Sequence, residues 1–216
     1  MSNWKDKVPE PLLSTYEIYN FNHAVEILSQ AYPSEYAEII GALDTFTLSV
    51  SDIVMAGGNE SIIPKKISAC LRPLEWQEVK ITGDLIVRLH QKRSPKKFVK
   101  VADVTFEDFI DGHNIDYVKN RVAVEVEWNS KDQTFDRDLY AFRTFYECGI
   151  ISCGVIITRS EQLNPVFVKL GVMQKYGAST TWMGKLLPRI SSGRHGGCPL
   201  MVVGITPESI IDLEAK

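Results

Sequence analysis

From Arg121 to Trp128 the chain alternates without interruption. Val122, Val124, Val126 and Trp128 take one side, while Arg121, Ala123, Glu125 and Glu127 take the other. This period of two predicts a β-strand with one apolar face. Elsewhere the period changes. Phe21, Val25 and Leu28 recur at helical spacing and predict a helix over 20–32. Pro33-Ser34 opens a second helix, with Ser34 as its cap, Glu35 and Glu38 in its first turns, and Ile39, Ile40 and Leu43 as its apolar residues. A third helix is expected over 61–74, where Pro64 is tolerable because it falls near the start. Residues 78–89 alternate around Gly83-Asp84 and predict a hairpin.

Downstream, Leu139, Phe142, Phe145 and Tyr146 mark an amphipathic helix over 135–148. The nearly continuous apolar run 150–157 predicts a central strand covered on both faces. A polar loop over 177–181, a short helix through Ile190, a flexible stretch over 191–197 and a strand over 200–203 complete the chain. A strand, a helix and a second strand in this order predict a right-handed crossover. The fold class is therefore α/β, a mixed central β-sheet flanked by helices. At 216 residues, with no repeat or low-complexity linker, a single domain over 1–216 is expected.

The acidic side of the first of these strands is unusual. Two glutamates two residues apart repel each other and have weak strand propensity. If Lys119-Asn120 forms a two-residue turn, Val118 faces Arg121 and Asp116 faces Ala123. Asp116 then lies diagonal to Glu125, at about 7–8 Å between backbones, and both carboxylates can converge on one hard cation. A solvated edge strand with an acidic outer face fits the same pattern.

The net charge of −3 argues against a general nucleic-acid coat, but the basic residues are grouped. Lys92, Arg93, Lys96, Lys97 and Lys100 surround Ser94-Pro95; Lys65-Lys66 form a pair; Lys185, Arg189, Arg194 and His195 gather late in the chain. Basic loops on a mildly acidic protein suit a cleft that holds phosphates on one side, although each group also fits a solvated loop. Ser179, Thr180 and Thr181 fit a helix N-cap, and equally a set of donors to bases or phosphates. Cys70, Cys148, Cys153 and Cys198 lack metal spacing, and a chain of this length needs no disulfide staples. With no signal-like N-terminus and no membrane-length apolar run, a reduced cytoplasmic protein is expected.

The segment Asp116-Tyr-Val-Lys-Asn-Arg-Val-Ala-Val-Glu-Val-Glu-Trp128 resembles, almost position by position, the D-[FY]-V-K-x-R-V-A-[IV]-E-V-Q-[FW] segment of the BglII/BstYI group of type II restriction endonucleases. That group belongs to the PD-(D/E)xK nuclease superfamily. Tyr19–Leu28, Trp76 and Cys198–Ile205 resemble the group's opening segment, its tryptophan ahead of the catalytic hairpin, and its closing strand. The likeness spans 16–207. It implies a restriction-endonuclease-like fold and hydrolysis of double-stranded DNA with Mg²⁺ (Mn²⁺ substituting), leaving 5′-phosphate ends. It implies Asp116 and Glu125 as metal-binding carboxylates and Glu127 as the third catalytic position. That position is commonly Gln in the group, Glu in BamHI and Lys in the wider superfamily.

Glu78 is the candidate for a further metal ligand from outside the hairpin. Asn129, Ser130 and Lys131 are expected to read bases with Ser179, Thr180 and Thr181, and Lys65, Lys185, Arg189 and Arg194 to hold the DNA backbone. Palindromic sites in the group imply a homodimer, with the 135–148 helix as the candidate interface. A structure-selective or repair nuclease of the same fold and a catalytically inert DNA-binding module are the alternatives.

Overall fold

The structure is a computed structural model and describes residues 3–55, 61–111 and 113–213. A short helix α1 (Glu10–Thr15) leads into β1 (Tyr16–Phe21), followed by helices α2 (Ala24–Ala31), α3 (Pro33–Thr45), α4 (Val50–Val54) and α5 (Ile62–Leu71). Strands β2 (Gln77–Lys80), β3 (Gly83–Ser94), β4 (Lys97–Ile110), β5 (Asn114–Lys119) and β6 (Val122–Glu127) come next. The chain continues through α6 (Thr134–Glu147), β7 (Cys153–Arg159), α7 (Asn164–Lys169), α8 (Met183–Ser191) and β8 (Leu200–Ile205).

Six strands form one mixed sheet in the order β1-β8-β7-β6-β5-β2. The three central strands β6, β7 and β8 run parallel, and every other pair is antiparallel. Parallel neighbours need a crossover, which α6 supplies between β6 and β7. The central strands are buried throughout, as a sheet covered on both faces requires. One face carries Val122, Val124, Val126 and Trp128 against α2, α3 and α5; the other carries Ala123, Ile156 and Val202 against α6 and α8. The expected fold class stands, and the solvated edge strand does not: β6 is interior.

Several expected elements are redrawn. The helix over 20–32 is strand up to Phe21, where pairing with β8 captures the backbone; Asn22 and His23 then turn through left-handed conformations into α2. Ser34 does not cap α3, because Tyr32 occupies the cap and Pro33 the first helical position. Gly83-Asp84 forms no hairpin. Instead β3 pairs with β4 across a turn after Ser94, making a separate two-stranded arm with the Lys92–Lys100 cluster at its tip. The stretch 191–197 is a compact series of turns with Gly193, Gly196 and Gly197 left-handed and His195 buried. The 61–74, 135–148, 150–157 and 200–203 elements are found, with shifts of one to three residues at their ends.

The β5–β6 connection is also corrected. Tyr117 faces Val124, Val118 faces Ala123 and Lys119 faces Val122, so the turn is Asn120-Arg121 with φ of 42° and 71°. Two consecutive positive φ values are what a two-residue hairpin of the right twist demands. Lys119 is occupied elsewhere: its Nζ donates to both oxygens of Glu38 on α3, at 2.6 and 2.9 Å, and to the Leu74 carbonyl. Asn120 Nδ2 donates to Glu35 Oε1 at 3.2 Å. Two contacts to α3 thus hold this turn in register.

Gly154 shows how tightly α6 sits on the sheet. A Cβ there would stand 2.3 Å from the Phe142 ring and 2.9 Å from Leu200. Gly154→Ala is expected to cost about 1–3 kcal/mol through overpacking. Chemical denaturation measures it, and an unchanged midpoint would contradict this packing of α6 on β7.

Candidate active site

Extending the observed register by one residue sets Asp116 opposite Glu125, not diagonal to it, and the Asp116 N–H donates to Glu125 Oε1 at 3.4 Å. Glu125 and Glu127 share the face of β6 that looks toward α6, since alternation places them with Ala123. Both are buried, whereas Asp116 is partly exposed. Asp116, Glu125 and Glu127 are therefore brought together as the sequence predicts.

A fourth carboxylate completes the cluster. Asp138 on α6 is 1% exposed. Its Oδ1 takes the guanidinium of Arg137 at 3.3 Å, and its Oδ2 has no hydrogen-bond partner. Glu127 Oε2 is likewise buried without a partner. Sequence reasoning passed over Asp138 because acids are ordinary on amphipathic helices. The signal was its position: Phe135, Asp138, Leu139 and Phe142 follow the spacing of a single apolar stripe, where a charge is out of place.

Burial and mutual repulsion dominate the electrostatics. Burial, then Asp138, Asp116 and Glu127, push Glu125 well above the usual carboxylate range. Burial raises Glu127, with hydrogen bonding by Ser130 opposing it. Asp138 is pushed up to about 8, first by burial and then by Glu127, with Arg137 opposing. These acids titrate as a group.

The other expected site residues divide sharply. The segments 129–132 and 179–181 lie side by side: Lys131 and Thr180 form an antiparallel bridge, Thr181 N–H donates to Ser130 O at 2.8 Å, and Asp132 N–H to Ser179 O at 2.9 Å. Ser130, Lys131 and Ser179 are exposed on this ladder. Thr181 is buried and its hydroxyl accepts from Ser130 N–H, while the Thr180 hydroxyl accepts from Arg159 Nη2 at 2.6 Å and donates to Gly177 O. Their side chains build the loop. Asn129 is left-handed with its Oδ1 buried and unpartnered. Arg159, absent from the sequence-based set, lies buried at the end of β7 beside the stacked rings of Phe167 and Tyr176 and holds the loop through Tyr176 O and the Thr180 hydroxyl.

Arg189 is largely buried and pairs with Asp136 at 3.1 Å and Asp132 at 3.3 Å; Arg194 also pairs with Asp136, and Lys185 lies 3.9 Å from Asp132. Two carboxylates thus offset most of the charge of this late basic group. Lys65 belongs to α5, on the opposite face of the sheet from the carboxylates. Glu78 is exposed on β2, the strand beside β5, and accepts from Asn114 Nδ2 at 2.6 Å.

The family model for restriction endonuclease BglII/BglIII matches residues 16–205. The chain belongs to this family. A search of curated proteins returned no match. As a BglII/BglIII-family enzyme the protein is a deoxyribonuclease, and the matched span contains every strand of the sheet and all four carboxylates. Among the described residues, no three His, Cys, Asp or Glu side chains stand in a ligating arrangement. Mg²⁺ does not ask for one: it is commonly held by one or two carboxylates, with water and substrate phosphate completing its shell. Asp116 beside Glu125, with the unpartnered Glu127 oxygen on the same face, fits that requirement.

Raised acid pKa values give a definite stability profile. The folded state keeps protons that the unfolded chain releases near pH 4, so this contribution is fully present below about pH 4 and is lost as pH rises toward 8. In chelator, the melting temperature is expected to fall between about pH 5 and pH 8.5, and Asp138→Asn to flatten that decline. A melting temperature that rises across this interval would show that the acids are not crowded as described.

Proposed function

We propose that this enzyme is a type II, site-specific endonuclease that cuts palindromic duplex DNA as a homodimer, using Mg²⁺ and leaving 5′-phosphate and 3′-hydroxyl ends. The observation that carries the reading is Asp116 set opposite Glu125, with Glu127 two residues further on the same sheet face. Asp116 and Glu125 would hold the divalent cation. When bound, such a cation offsets charge on the scissile phosphate, acidifies water and stabilises the leaving oxygen. Glu127 would orient the attacking water and, with its pKa raised by burial, take its proton. In the balanced step the water oxygen bonds to phosphorus, the P–O3′ bond breaks and the 3′ oxygen gains a proton.

The exposed Ser130, Lys131 and Ser179 side chains form the base-reading set, with Asn129 beside them. Lys matches guanine acceptors in the major groove, and hydroxyls serve as adaptable donors. Thr180 and Thr181 act by holding that ladder.

The homodimer reading is supported by the arm. Leu85, Val87 and Leu89 of β3 pair with Phe106, Val104 and Ala102 of β4, and with Val99 beyond a bulge they cover one face. The opposite face carries Arg88 against Asp103 and His90 against Lys100. Leu89, Val99, Val104 and Phe106 are 38–50% exposed in the single chain. A lone two-stranded hairpin is marginal in water, and an apolar face of this extent calls for cover. A second copy presents the same face, so a two-fold contact is self-complementary and matches the two-fold symmetry of a palindrome. The α6 helix is a poorer candidate than expected, because Phe135, Leu139, Phe142 and Phe145 are spent inside the chain.

Purified protein with Mg²⁺ is expected to cut unmethylated plasmid into discrete fragments, and Asp116→Asn or Glu125→Gln to abolish cutting. A smear would favour the repair nuclease, and binding without cutting the inert module. Lys131→Ala is expected to disturb site choice more than nonspecific affinity; equal losses on cognate and random duplex would remove its base-reading role. In sedimentation, Leu89→Lys with Val104→Lys is expected to convert a dimer to monomer. A dimer that survives this change would place the contact elsewhere.

A further inference from the structure

An acidic pocket facing an anionic phosphodiester has an electrostatic problem that one divalent cation only partly solves. Beside Asp116 and Glu125, Glu127 brings a third acid to the site and Asp138 a fourth. We infer that Arg137 restores the missing positive charge as a catalytic residue that contacts a non-bridging oxygen of the scissile phosphate, and that Asp138 is its positioning residue. The inference rests on the endonuclease reading above.

The geometry carries it. Arg137 sits at the start of α6, and its side chain is 61% exposed while the Asp138 side chain beside it is 1% exposed. Arg137 Nε and Nη2 both donate to Asp138 Oδ1, at 3.4 and 3.3 Å. Among the described residues Arg137 Nη1 has no hydrogen bond, which leaves one edge of the fork open. The fork shape suits bidentate or edge-on contact with phosphate oxygens, and its charge does not depend on pH. The guanidinium feels the charges of Asp138, Glu127 and Glu125, so it sits within electrostatic reach of the three buried carboxylates.

The other cations are committed differently. Arg189 and Arg194 are paired with Asp132 and Asp136, and Lys119 with Glu38. Asp138 also explains itself in this scheme. A buried acid with one oxygen on Arg137 and the other unpartnered aims the guanidinium. Positive charge placed where charge builds in the transition state lowers the barrier without making or breaking a bond.

The test separates chemistry from binding. Single-turnover cleavage of a mapped cognate duplex with Mg²⁺ is compared with duplex affinity in Ca²⁺, for the full-length wild type, Arg137→Ala, Arg137→Lys and Asp138→Asn. Arg137→Ala is expected to slow cleavage by about 100-fold or more, within the range for losing one charge-stabilising donor, with affinity changed by less than about threefold. Arg137→Lys is expected to recover part of that rate. Asp138→Asn is expected to slow cleavage less, and the double variant no more than Arg137→Ala alone. Full cleavage by Arg137→Ala, or a loss confined to affinity, overturns the inference while leaving the nuclease reading intact. A wild-type protein that cuts no DNA overturns both.

Discussion

Burying like charges next to one another is the constraint around which this molecule is arranged. Glu125, Glu127 and Asp138 stand together between β6 and α6, with Asp116 at the rim. Isolated, each would be strongly disfavoured in such a place, and together they raise one another's pKa. A surface loop could relax away from this crowding. Here the carboxylates are fixed to a central strand and a crossover helix, each cemented by apolar residues such as Val124, Phe142 and Ile156. The apolar sheet therefore serves chiefly to hold apposed groups that would otherwise separate.

The register of one hairpin sets that apposition. Alternation along 121–128 shows correctly which side chains share a face, and it does so even with the turn misplaced. Moving the turn from Lys119-Asn120 to Asn120-Arg121 changes the pairing by two positions, so every residue keeps its side while Asp116 moves from diagonal to opposite Glu125. What decides between these registers is tertiary. Lys119 reaches Glu38 and Asn120 reaches Glu35, contacts spanning more than eighty positions along the chain. No local pattern contains them. The same reason hides β1, whose backbone is captured by β8, and the arm, whose β3 strand pairs with β4 and not within 78–89.

The polar surroundings were legible in chemistry but not in allocation. Arg189 and Arg194 are the residue types that bind phosphate, and spacing alone could not reveal that Asp132 and Asp136 already hold them. Thr180 and Thr181 have hydroxyls suited to a groove, yet those hydroxyls are used to join the loop to Arg159 and Ser130. Once these partners are subtracted, Ser130, Lys131 and Ser179 remain outward on a short ladder. That ladder follows directly from β6, so under the proposed function the base-reading groups and the carboxylates belong to one strand and its extension. On that reading a base contact that shifts this ladder also shifts Glu127.

One chain supplies one such cluster, whereas a duplex has two strands of opposite polarity. Cutting both at fixed positions requires a second cluster held at a fixed two-fold relation. The core provides little for that purpose, because α6 and α8 turn their apolar stripes inward. The arm differs from every other element in this respect. It pairs only with itself, lies outside the main sheet, and exposes an apolar face through most of its length. Such a face stays costly until covered, so in the proposed homodimer a contact through it would order the arm and the pair of active sites in one step. On that proposal the charge-crowded centre and the uncovered arm are complementary: the first is held by the packed sheet, and the second would be covered by a second copy.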